Sequence, residues 1–306
     1  MSRLDAASVG GPHSERGTET ERINCWAVIS PGMSDRTALI TGCSSGIGRA
    51  TAEAFVEGDW VVYATSRDTD DIADLAEMGC ETASLDVTVD ADIERVFDRI
   101  DGDTGRIDCL VNNAGYGQYG PLEDIPVTRL RRQFDVNVYG PHRLTRAALP
   151  MMRAREDGTI INVSSVAGRV AIPGGGAYSA SKFALEAMSD ALRAEVERFG
   201  VDVVLIEPGL VDTEFNDRMA GELDDLPKSG AYDWLYDTTE EFRTTLDSVS
   251  VPSDPDGVAT TIHDVACMSD PDARYPVGTG GKLLLYSRYL PDSVRDSLVR
   301  VVRKLT

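Results

Sequence analysis

Thr41-Gly42-Cys43-Ser44-Ser45-Gly46-Ile47-Gly48 stands between a short apolar run, Thr37–Thr41, and an amphipathic one, Ile47–Glu57. The first run predicts a buried strand and the second a helix. Glycines between them let the backbone turn tightly and come close to a phosphate. The free N–H groups and positive dipole end of the helix would then face that phosphate. A purely structural glycine turn has the same composition. The strand before it and the helix after it favour the phosphate reading, with Thr41, Gly42, Ser44, Ser45, Gly46, Ile47 and Gly48 as candidate contacts.

Outward from this loop the chain alternates strand and helix. Strands are predicted at Trp60–Thr65, Thr82–Leu85, Ile107–Asn112, Thr159–Val163, Val201–Ile206 and Arg274–Val277. Helices are predicted at Ile72–Met78, Ile93–Ile100, Val127–Arg153, Ala177–Phe199 and Val258–Met268. This order implies an α/β fold: one Rossmann-type, doubly wound parallel sheet with helices on both faces. It reads as a single domain over 34–306, with no internal repeat and no linker to a second domain. Residues 1–33 are polar and rich in Gly, Ser and Glu, and read as a disordered extension. Met33 stands as an alternative start. Residues 210–250 hold acidic, aromatic and Met residues and read as a lid over the carboxyl edge of the sheet. Leu283–Lys304 reads as an amphipathic helical tail that packs on its own domain, with docking on a membrane or a partner subunit as the alternatives.

The charge is unusual for so ordinary an apolar content. In 306 residues, 51 acidic side chains face 30 basic ones, a formal net charge of -21. Dispersed negative charge repels nucleic acid and anionic membrane, so neither is expected as a partner. It also self-repels at low salt, which points to a surface suited to a high-salt cytoplasm. A thermal melt that fails to rise with added KCl would argue against that adaptation. The five cysteines (Cys25, Cys43, Cys80, Cys109, Cys267) are scattered and lack metal spacing. They suit a reducing compartment. No apolar run spans a bilayer and no signal-peptide pattern opens the chain, so a cytoplasmic protein is expected.

Tyr178 and Lys182 are four residues apart in a predicted helix and so share one face. A phenol has a pKa of about 10, and a nearby cation lowers it. The pair therefore suits proton transfer near neutral pH. At the end of the second strand stands Thr65-Ser66-Arg67. An acid there would bind the ribose 2′-hydroxyl of NAD, whereas an Arg accommodates a 2′-phosphate. Arg67 therefore favours NADP(H) over NAD(H). Asp86-Val87 could flank an adenine, and Asn113-Ala114-Gly115 could let a cofactor ribose pass; both segments also have a structural reading.

Together, Thr41–Gly48, Asn112–Gly115, Asn137, Ser164-Ser165, Tyr178/Lys182 and Pro208-Gly209 resemble the short-chain dehydrogenase/reductase family in its classical form. The resemblance runs from about Arg36 to the C-terminus. It implies Tyr178 as general acid/base and Lys182 as the residue that holds the nicotinamide ribose and lowers the Tyr pKa. It implies Ser165 as a hydrogen-bond donor to the substrate oxygen and Asn137 as the anchor of a proton-relaying water. Pro208-Gly209 with Thr213 would form the nicotinamide-binding turn. Family members commonly form dimers or tetramers through their two long helices, here Val127–Arg153 and Ala177–Phe199.

Tyr178–Glu186 and Arg274–Gly278 resemble the hydroxysteroid/retinol dehydrogenase-like branch, which implies a bulky apolar alcohol or carbonyl substrate. Phe215, Met219, Trp234, Leu235 and Tyr236 could cover such a substrate or simply pack the domain. The expectation is an NADP(H)-preferring oxidoreductase interconverting an alcohol and a ketone or aldehyde. The alternatives are a 3-oxoacyl thioester reductase and a non-catalytic NADP(H)-sensing binding protein.

Overall fold

In a computed structural model of the chain, residues 36–211, 213–237, 254–278 and 289–305 are described. Seven parallel strands form one sheet in the order β3-β2-β1-β4-β5-β6-β7. They are β1 Thr37–Thr41, β2 Val61–Ser66, β3 Glu81–Ser84, β4 Cys109–Asn112, β5 Gly158–Val163, β6 Val201–Pro208 and β7 Arg274–Val277. The helices are α1 Gly46–Glu57, α2 Ala73–Glu77, α3 Asp90–Asp103, α4 Val127–Phe134, α5 Gly140–Arg155, α6 Gly176–Val196, α7 Glu214–Asp224, α8 Pro255–Ala266 and α9 Asp292–Leu305.

The strands are apolar on consecutive positions because each feeds two cores. Ala38 and Ile40 of β1 face one core with Val111, Ile161 and Ile206, closed by Phe55 of α1 and by Val258, Ile262 and Val265 of α8. Leu39 faces the other core with Leu110, Ile160 and Val203, closed by Phe97 of α3 and by Leu144 and Met152 of α5. Chain direction across the sheet reverses between β1 and β4. That is the crevice where ligands of such sheets bind, at the carboxyl ends of the strands.

Several predicted boundaries move. The helix predicted over Val127–Arg153 is three pieces: α4, a π-helical turn at Asp135–Tyr139, and α5. The helix predicted over Ala177–Phe199 ends at Val196 in a 3₁₀ turn, stopped by left-handed Gly200. The helix predicted from Ile72 opens as a 3₁₀ turn at Asp70–Ile72. The predicted N-terminal extension, much of the lid after residue 237, and the start of the tail lie outside the described residues. No helix among the described residues is long and apolar enough to cross a membrane.

Candidate active site

The glycine loop is fixed by the end of β4. Asn113 donates through Nδ2 to the Thr41 carbonyl at 2.9 Å and to the Gly42 carbonyl at 3.2 Å. The Thr41 hydroxyl accepts from the backbone N–H of Asn113 at 3.1 Å and of Ala114 at 3.0 Å. A Cβ at Gly48 would lie 2.3 Å from both the Gly42 carbonyl oxygen and Asn113 Nδ2, so only glycine fits there. Gly46 has φ +57, the left-handed region that glycine tolerates.

The N-terminus of α1 is open. Ser45 caps it in extended conformation with no side-chain cap bond, and the first turn carries no acidic residue. Its orphan N–H groups and positive dipole end suit an anion. Arg67 is exposed at the end of β2 and forms no ion pair among the described residues. These residues fit the phosphates of a dinucleotide. Asp86 and Val87 also have local structural duties. Asp86 Oδ1 accepts from Thr88 N–H at 2.9 Å and Thr88 hydroxyl at 2.7 Å. Val87 is buried against Gly140.

Tyr178 and Lys182 lie one turn apart on α6, and both are buried. Lys182 Nζ donates to the Val163 carbonyl at the end of β5, at 2.8 Å. It stands 5.8 Å from the centre of the Tyr178 ring. Burial pushes the Lys182 ammonium down to about 8, with Glu186 pulling the other way. The Tyr178 phenol is pushed up, by burial first and by Tyr119 second, while a hydrogen bond with Ser165 opposes the rise. The sequence predicts the opposite sign for this phenol. The difference arises because Tyr178 sits between the rings of Tyr119, at 5.7 Å, and Phe215, at 6.0 Å. Those rings remove water that would stabilise a phenolate.

Ser165 sits at the start of a 3₁₀ turn. Its hydroxyl accepts from Ala167 N–H at 3.1 Å and leans toward the Pro208 carbonyl at 3.5 Å. Gly209 N–H donates to the Val277 carbonyl at 2.9 Å, which ties that turn to β7. Asn137 lies in the π turn, buried. Its Oδ1 accepts from Tyr116 N–H at 2.8 Å, and its Nδ2 donates to the Tyr116 carbonyl at 2.9 Å and to Ser181 Oγ at 3.1 Å. The side chain is thus a clamp on the loop after β4. Ser181 Oγ in turn donates to the Tyr178 carbonyl at 2.7 Å.

Helix α7 covers this arrangement. A Cβ at Gly46 would meet the Thr213 methyl at 2.7 Å, and one at Gly117 would meet Phe215 at 2.8 Å and Met219 sulfur at 3.2 Å. Thr213 therefore touches the glycine loop while Phe215, two residues on, touches Tyr178, so one segment bridges loop and tyrosine. Arg129 of α4 donates to the Glu222 carbonyl at 3.2 Å and carboxylate at 2.5 Å, which holds the far end of α7. Leu235 is buried against Gly174, and Tyr236 donates to Asp124 at 2.8 Å. Trp234 is partly exposed.

Sequence reasoning missed Tyr116, Tyr119, Arg129, Ser181 and Arg218, and also Gln133, which accepts from Gln118 N–H at 2.7 Å and donates to the Tyr116 carbonyl. Only Ser181, one turn after Tyr178 and before Lys182, carried a local signal. It also missed a buried network behind Lys182: Arg169 on Glu207 at 2.7 Å and Arg274 on Glu186 at 3.0 Å.

The family model for short chain dehydrogenase matches residues 36–223. The chain is 34% identical over 277 residues to an uncharacterized oxidoreductase of Escherichia coli, YbbO, covering 89% of this chain and 97% of that one. It is 32% identical over 282 residues to an NADPH-dependent 3-dehydrocapnine reductase of Ornithobacterium rhinotracheale, covering 89% and 99%. A solved short-chain dehydrogenase from Streptomyces avermitilis superposes with a TM-score of 0.74 at 36% identity, covering 90% of this chain and all of that one. The chain belongs to the short-chain dehydrogenase family and is an oxidoreductase of that family, which binds a nicotinamide cofactor.

Proposed function

We propose that the chain is an NADP(H)-preferring carbonyl reductase and alcohol dehydrogenase for a bulky, apolar substrate. The observation that carries this reading is that one segment bridges the glycine loop and the tyrosine. Tyr178, with Ser165 and Lys182 beside it, lies against Phe215 of α7, and Thr213 just before that helix touches the glycine loop.

In this reading Thr41, Gly42 and Ser44–Gly48 hold the diphosphate, and Arg67 holds the 2′-phosphate. Asp86 and Val87 flank the adenine, with Asn113, Ala114 and Gly115 along the adjoining ribose. Pro208, Gly209 and Thr213 hold the nicotinamide, and Lys182 its ribose. When bound, the nicotinamide donates or accepts the hydride. Tyr178 gives its phenolic proton to the substrate oxygen in reduction and takes it back in oxidation. Burial keeps that phenol protonated, so it acts as the acid. Ser165 donates a hydrogen bond to the same oxygen as charge develops on it. Lys182, pushed down to about 8, can pass a proton toward Tyr178 near neutral pH. Asn137 positions the loop after β4, and through Ser181 the backbone of Tyr178. Tyr119, Phe215 and Met219 exclude water and present an apolar wall to the substrate. The preference for NADP(H) rests on Arg67, exposed and without an ion pair among the described residues, and on the NADPH dependence of the Ornithobacterium relative.

The test is oxidation of NADPH and of NADH in high KCl against ketones, aldehydes, steroid-like ketones and a 3-oxoacyl thioester. The expected result is turnover of a bulky apolar ketone, with kcat/KM at least about tenfold higher for NADPH, the scale of one charge-assisted hydrogen bond. Equal use of NADH would overturn the cofactor preference. Turnover of the thioester alone would overturn the substrate class.

A further inference from the structure

Arg218 belongs to none of the motifs above, yet its guanidinium reaches the glycine loop. It lies on α7, and its Nη2 donates to Ser45 Oγ at 2.5 Å. Ser45 is the cap residue of α1. A cation is thus held at the positive end of a helix dipole, where charge of that sign is unfavourable. No acid in the first turn of α1 compensates. Among the described residues, the carboxylate beside Arg218 is Glu214, four residues back on α7 at 3.3 Å. Both of those side chains are more than half exposed, and such a pair contributes little. A guanidinium and an open helix terminus that converge in this way suit an anion between them.

Resting on the nucleotide-binding reading above, we propose that Arg218 is a ligand of the cofactor diphosphate carried on α7. Its fork of donors matches phosphate oxygens better than a point charge does. Phe215 and Met219 flank it in sequence and reach Gly117 and Tyr178. Engagement of the diphosphate therefore holds α7, and with it the apolar wall over Tyr178.

The test uses the full chain as wild type, Arg218→Ala, Arg218→Lys and Arg67→Ala. NADPH, NADH and adenosine 2′-monophosphate are titrated calorimetrically, and amide exchange of α7 is followed with and without NADPH. Arg218→Ala should weaken NADPH and NADH by the same factor, about tenfold on the scale of one charge-assisted bond. It should leave adenosine 2′-monophosphate, which lacks a diphosphate, unchanged. Arg218→Lys should fall between wild type and Arg218→Ala. NADPH should protect the α7 amides of the wild type and not those of Arg218→Ala. Arg67→Ala should give the reverse ligand pattern, sparing NADH. Unchanged dinucleotide affinity in Arg218→Ala would overturn the proposal. So would a loss confined to NADPH and adenosine 2′-monophosphate, which would place Arg218 on the 2′-phosphate. Unchanged α7 protection would overturn the coupling to the lid. Failure of the wild type to bind any of the three would instead sink the nucleotide-binding reading itself.

Discussion

The two walls of the cleft are built by different means. The glycine-loop wall is backbone: Thr41, Gly42 and Gly48 held by Asn113 at van der Waals limits, on strands buried on both faces. The α7 wall is side chain: Phe215 and Met219 laid over Gly117, with Arg129 and Arg218 gripping from either end. No residue of α7 is fully buried. The first wall has one shape; the second depends on a few contacts that can be made and broken. Such a division suits a fixed cofactor cradle facing an adaptable substrate wall.

The sharpest way to break the fixed wall is Gly48→Ala. The added Cβ would lie 2.3 Å from a backbone oxygen that cannot swing away. We expect a loss of about 3 kcal/mol, the upper end for overpacking, seen as a lower Tm, together with loss of NADPH binding by titration. Unchanged Tm and affinity would mean the loop is looser than described. On the adaptable wall, Arg129→Ala frees the far end of α7. It should lower kcat/KM for a bulky ketone by about tenfold, one charge-assisted bond, while NADPH affinity changes little. Equal losses in both would erase the contrast between the walls.

Phe215→Ala removes a ring that faces Tyr178. KM for apolar substrates should rise roughly three- to tenfold, the worth of an aromatic pair, with little change in Tm. The remaining prediction concerns pH. Lys182 has a folded-state pKa of about 8, below the ordinary lysine value. Between those two values the unfolded chain binds more protons than the folded one, so this lysine makes stability rise with pH from about 8 upward. Wild type should gain on Lys182→Met across that window by at most about 1.4 kcal/mol per pH unit. A gap that narrows there would mean Lys182 is not desolvated.

The same contrast explains what the sequence made legible. Strands that feed two cores, such as Ala38-Leu39-Ile40, show as continuous apolar runs, and β1 and β7 fall where the pattern puts them. The glycine loop and the Tyr178–Lys182 spacing are local features and needed no structure. The π turn at Asp135–Tyr139 was not legible, because one extra residue per turn leaves no mark on so short an apolar pattern. Nor was the sign of the Tyr178 shift, which depends on rings from Tyr119 and Phe215, distant in sequence. Arg129 meets Glu222 across 93 positions and Arg218 meets Ser45 across 173, and no periodicity reports such pairs.

In the proposed function Tyr178 is the proton donor of an NADPH-dependent reductase. The most direct measurement is Tyr178→Phe, with single-turnover NADPH oxidation and NADPH affinity measured on one preparation. The account predicts a fall in the chemical rate of about 10²–10⁴-fold, the usual worth of a general acid, with affinity nearly unchanged. A variant that keeps most of its rate would contradict it.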